Sequence, residues 1–359
     1  MSRLLVLLAL VAISAYPFDR ARPGYDFTFP RDHFEHRNFQ LEWWYFTGNL
    51  RDESGRRFGF ELTFFRNALT EARTTDSPWE LDQIYLAHFA ISDIEGKRFL
   101  KRERVNRAGP GLAGASLEQA RIWNGNWYVR WLAPDDPLGA LRLQAVDEDA
   151  QIELALTPRK PAVLQGVEGL SQKAEGAGRA SHYIAYTRLD AAGSLTLGVE
   201  RFTVEGGVWM DHEFSTQSMG EGQVGWDWVS AQLDDGSELM LYQLRREGGV
   251  IDPHSSGNYI APNGSTRHLT ARDYRMTPGR TWTSPETGAA YPLVWRLEVP
   301  SLGMDVELTT PFDQQEVVSE VATSPTYWEG AIDLRGSHPG EGYLEMTGYD
   351  RPIQLGVEE

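Results

Sequence analysis

Residues 43–55 read Trp-Trp-Tyr-Phe-Thr-Gly-Asn-Leu-Arg-Asp-Glu-Ser-Gly, and residues 226–236 read Trp-Asp-Trp-Val-Ser-Ala-Gln-Leu-Asp-Asp-Gly. Both begin Trp-x-aromatic, pass a small residue, reach Leu and end on Asp close to a Gly turn. Aromatic residues two apart share one face of a strand, and Asp with Gly suits the tight turn that closes a hairpin. Each stretch is followed by a second apolar run, 58–65 and 239–244. One β-hairpin is therefore written twice. A second match keeps the same order: Arg142-Leu143-Gln144-Ala145 with Ile152-Glu153-Leu154, then Arg296-Leu297-Glu298-Val299 with Val306-Glu307-Leu308. Matches in common order point to a tandem duplication. The boundary is expected in Gly220-Glu221-Gly222, between an N-terminal domain over 26–219 and a C-terminal domain over 223–359.

Further strand signals lie at 84–91, 127–132, 152–156 and 183–189, bounded by Gly, Asp, Asn or Pro. Helical periodicity is scarce, and 118–123 and 313–321 are the best short helix candidates. The 12 Trp, 14 Tyr and 15 Phe, with 35 Gly and 19 Pro, suit a β-rich chain with many turns. The expected fold is all-β, with two similar β-barrels in tandem, and a length of 359 residues fits two domains.

The formal charge of -17 argues against nucleic acid as a partner, because phosphate would be repelled. The absence of cysteine excludes disulfides, thiolate nucleophiles, Cys-ligated zinc, iron–sulfur clusters and a lipoprotein anchor. Arg3 followed by an apolar run over 4–13 and then Ser14-Ala15 has the form of a secretory signal, residues 1–15. The run is too short for a transmembrane helix, which needs roughly twenty apolar residues. The mature chain is expected to be secreted or periplasmic.

Familiar catalytic motifs are missing: there is no G-x-S-x-G elbow, no H-E-x-x-H and no P-loop. Gly109-Pro110-Gly111-Leu112-Ala113-Gly114 fits a dinucleotide fingerprint by letters, but it contains Pro and lies among strands, so it reads as a loop. Asp32-His33-Phe34-Glu35-His36 offers two His with acids between them. No third ligand is evident there, and no metal or other cofactor is expected. The most informative segment is Trp209-Met210-Asp211-His212-Glu213-Phe214. As a strand it puts Trp209, Asp211 and Glu213 on one face and Met210, His212 and Phe214 on the other. Ionisable groups in so apolar a strand are costly unless hydrogen-bonded or functional. The structural reading makes them a barrel rim paired with Arg188 or Arg201. The functional reading makes His212 and Asp211 the catalytic pair, in a barrel mouth where a buried carboxyl can donate a proton near neutral pH. Glu42, His88, His182, Tyr186 and Arg188 are further polar candidates in apolar strands. Together with Trp44, Tyr45, Trp209, Trp226, Trp228 and Tyr242 they form the expected ligand-binding set.

Phe29-Pro30-Arg31-Asp32-His33 followed by Glu42-Trp43-Trp44-Tyr45 resembles the start of the AttH / carotenoid 1,2-hydratase family. So do Tyr183 to Arg188, Trp209-Met210-Asp211-His212-Glu213, Trp328-Glu329-Gly330 and Gly342-Tyr343-Leu344-Glu345-Met346-Thr347-Gly348-Tyr349. The resemblance covers nearly the whole mature chain and implies two lipocalin-like (calycin) barrels. Its hydratase branch adds water to an isolated double bond of an acyclic carotenoid by acid catalysis. Asp211 and His212 match that branch's Asp-His segment. Glu213-Phe214 departs from the Asn-Trp expected next, and Tyr242-Gln243-Leu244 carries no acid. The second catalytic acid is thus not located. Two readings follow. One is an exported protein that binds a hydrophobic lipid-like or isoprenoid ligand and hands it to a membrane transporter. The other is a hydratase-type lyase acting on such a ligand. The hydrolase label carried by secreted relatives has no motif behind it.

Overall fold

In the strand Ala150–Pro158 burial alternates strictly, with Ile152, Leu154 and Leu156 inside and Gln151, Glu153 and Ala155 outside. One face is core and the other is solvent. The strands Leu41–Asp52, Arg57–Ala68 and Gln83–Asp93, and the last half of Glu200–Ser215, are instead buried on both faces. A strand with two buried faces has a packed layer on each side, and here a second sheet supplies the outer layer. This is the arrangement in a computed structural model that describes residues 18–70, 75–216, 219–319 and 326–353. The expected secretory signal, 1–15, lies outside the described residues, as do 354–359.

The described strands form an all-β pair of lipocalin-like barrels, the first nearly closed and the second half-open. In the thirteen-stranded first sheet, Leu41–Asp52 is flanked on one side by Arg57–Ala68, Gln83–Asp93 and Arg98–Arg107. On its other side come Glu200–Ser215, Ala180–Leu197, Ala150–Pro158 and Leu141–Val146. The ten-stranded second sheet repeats this order around Gln223–Leu233. Glu238–Arg246, Ser256–Ile260 and Thr266–Thr270 lie on one side. Gly340–Thr347, Tyr327–Gly336, Met304–Thr309 and Val294–Val299 lie on the other. Both repeats read in the sequence thus occupy matching places in the two sheets. The seam of the first barrel is bridged by buried Asn124, whose Nδ2 donates to the carbonyls of Tyr85 (3.1 Å) and Arg104 (3.3 Å).

The two helix expectations are corrected. Residues 117–120 form a turn, with Ala120 at φ +46° and its N–H donating to Leu117 O at 3.1 Å, and Arg121–Asn124 is a strand. The Trp123 indole donates to Gly111 O and ties that strand to the preceding loop. In 313–319 the only regular element is the short strand Glu316–Val317, paired with Tyr327–Gly336. The end of that candidate, 320–321, lies outside the described residues. No helix among the described residues is long and apolar enough to cross a membrane.

Each barrel interior is filled by side chains. Trp44, Phe46, Phe58, Phe60, Leu62 and Phe64 crowd the first. Trp295, Leu297, Trp328 and Met346 are among those in the second. A third apolar cluster, including Tyr45, Tyr183, Trp209, Trp228, Tyr242 and Tyr343, lies between the sheets. The close fit inside the first barrel is tested at Gly48. A Cβ there would stand 2.6 Å from Phe60 Cε1 and 2.8 Å from Val208 Cγ2. Gly48→Ala is expected to cost about 1–3 kcal/mol in urea unfolding, because close-packed interiors do not absorb added volume.

Candidate functional site

Because both barrels are filled, the open space lies between them. A cavity of about 200 Å³ is walled by both sheets. Strand alternation decides which side chains reach it. From Leu41–Asp52 the odd-numbered Leu41, Trp43 and Tyr45 face the cavity, and from Gln223–Leu233 the matching Trp226 and Trp228 do. The Tyr45 and Trp228 rings meet edge to face at 5.3 Å. One end is apolar, with Phe65, Ile84, Leu86 and Val105, and at 45 % exposed Val105 marks where it opens to solvent. Five carboxyls also turn into the cavity: those of Glu61, Asp211, Glu213 and Glu329, all buried, and that of half-buried Glu345.

The duplication explains two of these acids. Asp211 stands opposite Tyr45 in the first sheet, and Glu345 stands opposite Trp228 in the second. Each barrel therefore presents one acid at the equivalent ladder position. Asp211 accepts from Trp209 Nε1 and from the Tyr183 hydroxyl, both at 2.8 Å. Glu345 accepts from Trp226 Nε1 at 2.9 Å. Burial dominates both. It raises the Asp211 carboxyl to about 8 against the pull of its two donors, with neighbouring Glu213 adding to the rise. Burial and the nearby Glu61 charge raise Glu345 to about 8 as well. Both are neutral acids at pH 7, able to give a proton inside an aromatic cavity.

Glu213 differs because it has a cation. Lys173 Nζ lies 3.3 Å from its Oε2, and Ser181 donates to the same oxygen. Burial opposes the lysine's charge, but the Glu213 carboxylate overcomes it and holds the ammonium above its ordinary value. The Lys173 ammonium also sits 4.0 Å from the centre of the Tyr242 ring. Burial and the negative charge of Glu61 and Glu345 hold the Glu329 carboxyl well above the usual carboxylate range.

The expected site residues are divided by this geometry. Asp211, Tyr45, Trp226, Trp228 and Tyr242 line the cavity. Trp209 stands beside it and orients Asp211. His88 stands one layer behind, 2.6 Å from the hydroxyl of cavity-lining Tyr327. Arg188 is elsewhere, with its Nε 2.6 Å from buried Glu238 of the second sheet, where Lys160 Nζ joins at 2.7 Å. Trp44, His182, Tyr186 and His212 face away from the cavity, into the first barrel. The expected barrel mouth holding both His212 and Asp211 is therefore corrected: adjacent residues of one strand point to opposite faces.

The barrel end around His212 is plugged by the N-terminal segment. His212 stacks on Trp44 at 4.8 Å between ring centres, and His36 stacks on Phe214 at 3.6 Å. His182 lies beside Tyr25, and the Tyr186 hydroxyl is 3.4 Å from His33 Nε2. Glu42 is the hub. Its Oε1 meets His36 Nδ1 at 2.7 Å and His212 Nε2 at 2.8 Å, and its Oε2 accepts from Arg66 Nε at 2.8 Å and the His36 backbone at 2.9 Å. Although Glu42 forms part of the cavity wall, its carboxylate is spent on these partners. Burial would raise it, but Arg66 and the two histidines hold it far below the usual range. Burial pushes the His212 imidazole down, and the Glu42 and Asp32 carboxylates lift His36 despite its burial. His36, Glu42 and His212 offer three ligand atoms within 4.8 Å of one another, which is the third partner the sequence did not reveal for His36. The Glu42 oxygens are already shared among Arg66, an amide and both imidazoles at hydrogen-bond distance, which makes the cluster an ion-pair network centred on that carboxylate.

The AttH-like family model matches residues 20–349. A solved structure of a provisionally assigned AttH from Nitrosomonas europaea shares 33% identity and superposes with a TM-score of 0.83, covering 92% of this chain and 99% of that one. Kievitone hydratase from Nectria haematococca shares 17% identity with a TM-score of 0.66, covering 94% of this chain and 99% of that one, a likeness of fold. No functionally curated protein matches the sequence.

Proposed function

The chain belongs to the AttH-like family, and from its cavity we propose that it binds an apolar, isoprenoid-like ligand between its barrels and adds water to an isolated double bond. The observation that carries this reading is the turning of five carboxyls, with a single lysine, into one aromatic cavity. A carrier of lipid needs apolar walls and has no use for buried neutral acids, which cost free energy to keep. Acid-catalysed hydration needs them. A carboxyl of Asp211 or Glu345 gives its proton to the less substituted alkene carbon. The tertiary cation left behind is faced by the rings of Tyr45, Trp226 and Trp228. Water adds to the cation and loses a proton to the carboxylate just formed, so the acid is restored and the product is an alcohol. The name of the hydratase of similar fold agrees with this chemistry.

The size of the cavity narrows the substrate. About 200 Å³ takes a short branched hydrocarbon end, since a dry cavity near 150 Å³ holds a molecule of benzene size. A longer chain would leave through the Val105 opening. The leader-like residues 1–15 support export, which N-terminal sequencing of the mature chain checks. The test of function is incubation with acyclic terminal isoprenoid alkenes and mass spectrometry for the tertiary alcohol. A ligand bound at one per chain without any alcohol would favour the carrier.

The pH dependence follows from the same carboxyls. The reactive form is protonated, so hydration is expected to be level through neutral pH and to fall as pH rises through about 8. Stability should fall over a lower window. The folded acids keep protons that the unfolded chain releases from about pH 4 upward. Their contribution therefore declines between there and about 8. Parallel rate and urea-midpoint profiles measure both.

A further inference from the structure

Behind the two pseudo-equivalent acids lies a chain of hydrogen bonds that the hydration step above does not use. Glu61 and Glu329 come from different barrels and both turn into the cavity, where burial and the neighbouring Glu61 hold the Glu329 carboxyl well above the usual carboxylate range. Both are at least 98% buried, by relative exposures of 1% and 2%. Their outer oxygens are already satisfied. Glu61 Oε1 accepts from the hydroxyls of Thr63 (2.7 Å) and Tyr327 (2.9 Å), and Glu329 Oε1 accepts from the Tyr45 hydroxyl. The Oε2 atoms of both have no other donor. Two buried carboxyls turned into one cavity with unpartnered oxygens are costly to leave without a proton or a cation, and one proton shared between them would satisfy both orphan oxygens.

The pair is connected outward. The Tyr327 hydroxyl that donates to Glu61 lies 2.6 Å from His88 Nδ1. His88 Nε2 lies 3.0 Å from Glu103 Oε2. His88 is buried, with its side chain 1% exposed, whereas the Glu103 side chain is 19% exposed. The imidazole thus bridges a buried hydroxyl and a carboxyl at the surface, with a nitrogen aimed at each.

From this geometry we infer that Glu61 and Glu329 form a proton-sharing acid pair, the second acid of the cavity, recharged from solvent through Glu103, His88 and Tyr327. It rests on the reading of the cavity as an acid site. In one relay step Glu103 passes a proton to His88 Nε2, His88 Nδ1–H passes one to the Tyr327 oxygen, and the Tyr327 O–H passes one to Glu61 Oε1. One proton enters at the surface, one arrives at the pair, and every intermediate group regains its starting number. Catalysis by the pair is then not limited by proton exchange through an apolar mouth occupied by substrate. Neutral Glu329 keeps the local charge low enough for Asp211 and Glu345 to remain close by.

The test needs no substrate, so it stands apart from the hydration reading. In the full-length chain carrying Asp211→Asn and Glu345→Gln, infrared spectra should keep one protonated-carboxyl band at neutral pH. Adding Glu329→Gln, or alternatively Glu61→Gln, should remove or shift that band. On transfer to deuterated buffer the band should exchange about 100-fold more slowly in His88→Phe and Tyr327→Phe than in the parent. Tyr327→Phe keeps the ring, so it covers the case where His88→Phe does not fold. A band unchanged by both glutamate substitutions overturns the shared proton. Exchange at the parent rate in Tyr327→Phe overturns the relay. Absence of alcohol product with these infrared results intact would count against hydration alone.

Discussion

Asp211→Asn is expected to lower the hydration kcat by about 100- to 10,000-fold, the usual worth of a positioned general acid. The effect should fall on kcat with KM little changed. The amide keeps the size of the carboxyl, and its oxygen can still accept from Trp209 Nε1 or the Tyr183 hydroxyl. What disappears is a proton held in reserve near neutral pH, because only a carboxyl raised to about 8 supplies it. Glu345→Gln tests the equivalent acid of the second barrel. If the two acids serve different steps, each single variant is as poor as the double. Mild singles beside an inactive double would contradict the loss expected of Asp211→Asn alone and would show that the two acids substitute for one another. The fold should survive all three, because removing a buried acid removes a desolvation cost. Steady-state kinetics beside urea unfolding reads both quantities. Full activity in the double variant would end the acid assignment.

Glu42→Gln is expected to act on the other observable. Glu42 is 1% exposed and joins Arg66, His36 and His212 at the plugged end of the first barrel. Arg66 is itself fully buried, and its second nitrogen donates to the carbonyls of His36 and Phe39. Removing the carboxylate leaves that guanidinium without its counter-charge, which typically costs about 3–5 kcal/mol. The Glu42 carboxyl lies far below its ordinary value, so its contribution is present at neutral pH and is lost on acidification. The gap between wild type and Glu42→Gln should therefore close as pH falls below about 4. Molecules that remain folded should keep near-normal kcat. His212→Ala belongs with this variant, since His212 stacks on Trp44 inside the barrel and does not reach the cavity.

How much of this was legible in the sequence depends on the strand. The duplication was, because Trp43/Tyr45 and Trp226/Trp228 stand at matched spacing before matched turns. Asp211 was, because an acid between Trp209, Met210 and Phe214 is out of place. The face it serves was not. Strands buried on both sides lose the polar alternation that tells core from surface, so nothing marked the even positions of Leu41–Asp52 and Glu200–Ser215 as barrel interior and their odd ones as cavity. That is why His212 was paired with its neighbour Asp211. Glu61, Glu329 and Glu345 each look like single acids in apolar strands. Only their convergence across the two sheets gives them meaning, and that depends on tertiary placement. One signal was available for Glu345. Aligning the repeats by strand order puts it where Asp211 stands in the first copy, opposite the aromatic of the matching hairpin. Lys173 lies near a strand edge with no motif around it, and its role is set by Glu213 and Tyr242.

The measurement closest to the central claim is hydration of an acyclic terminal isoprenoid alkene in deuterated water, run with wild type and with the Asp211→Asn, Glu345→Gln double variant. The account predicts a tertiary alcohol from the wild type, with one deuterium fixed on the neighbouring carbon and the oxygen taken from water, and none from the double variant although it binds the alkene. Equal alcohol from both proteins, or bound alkene returned unchanged by the wild type, would contradict it.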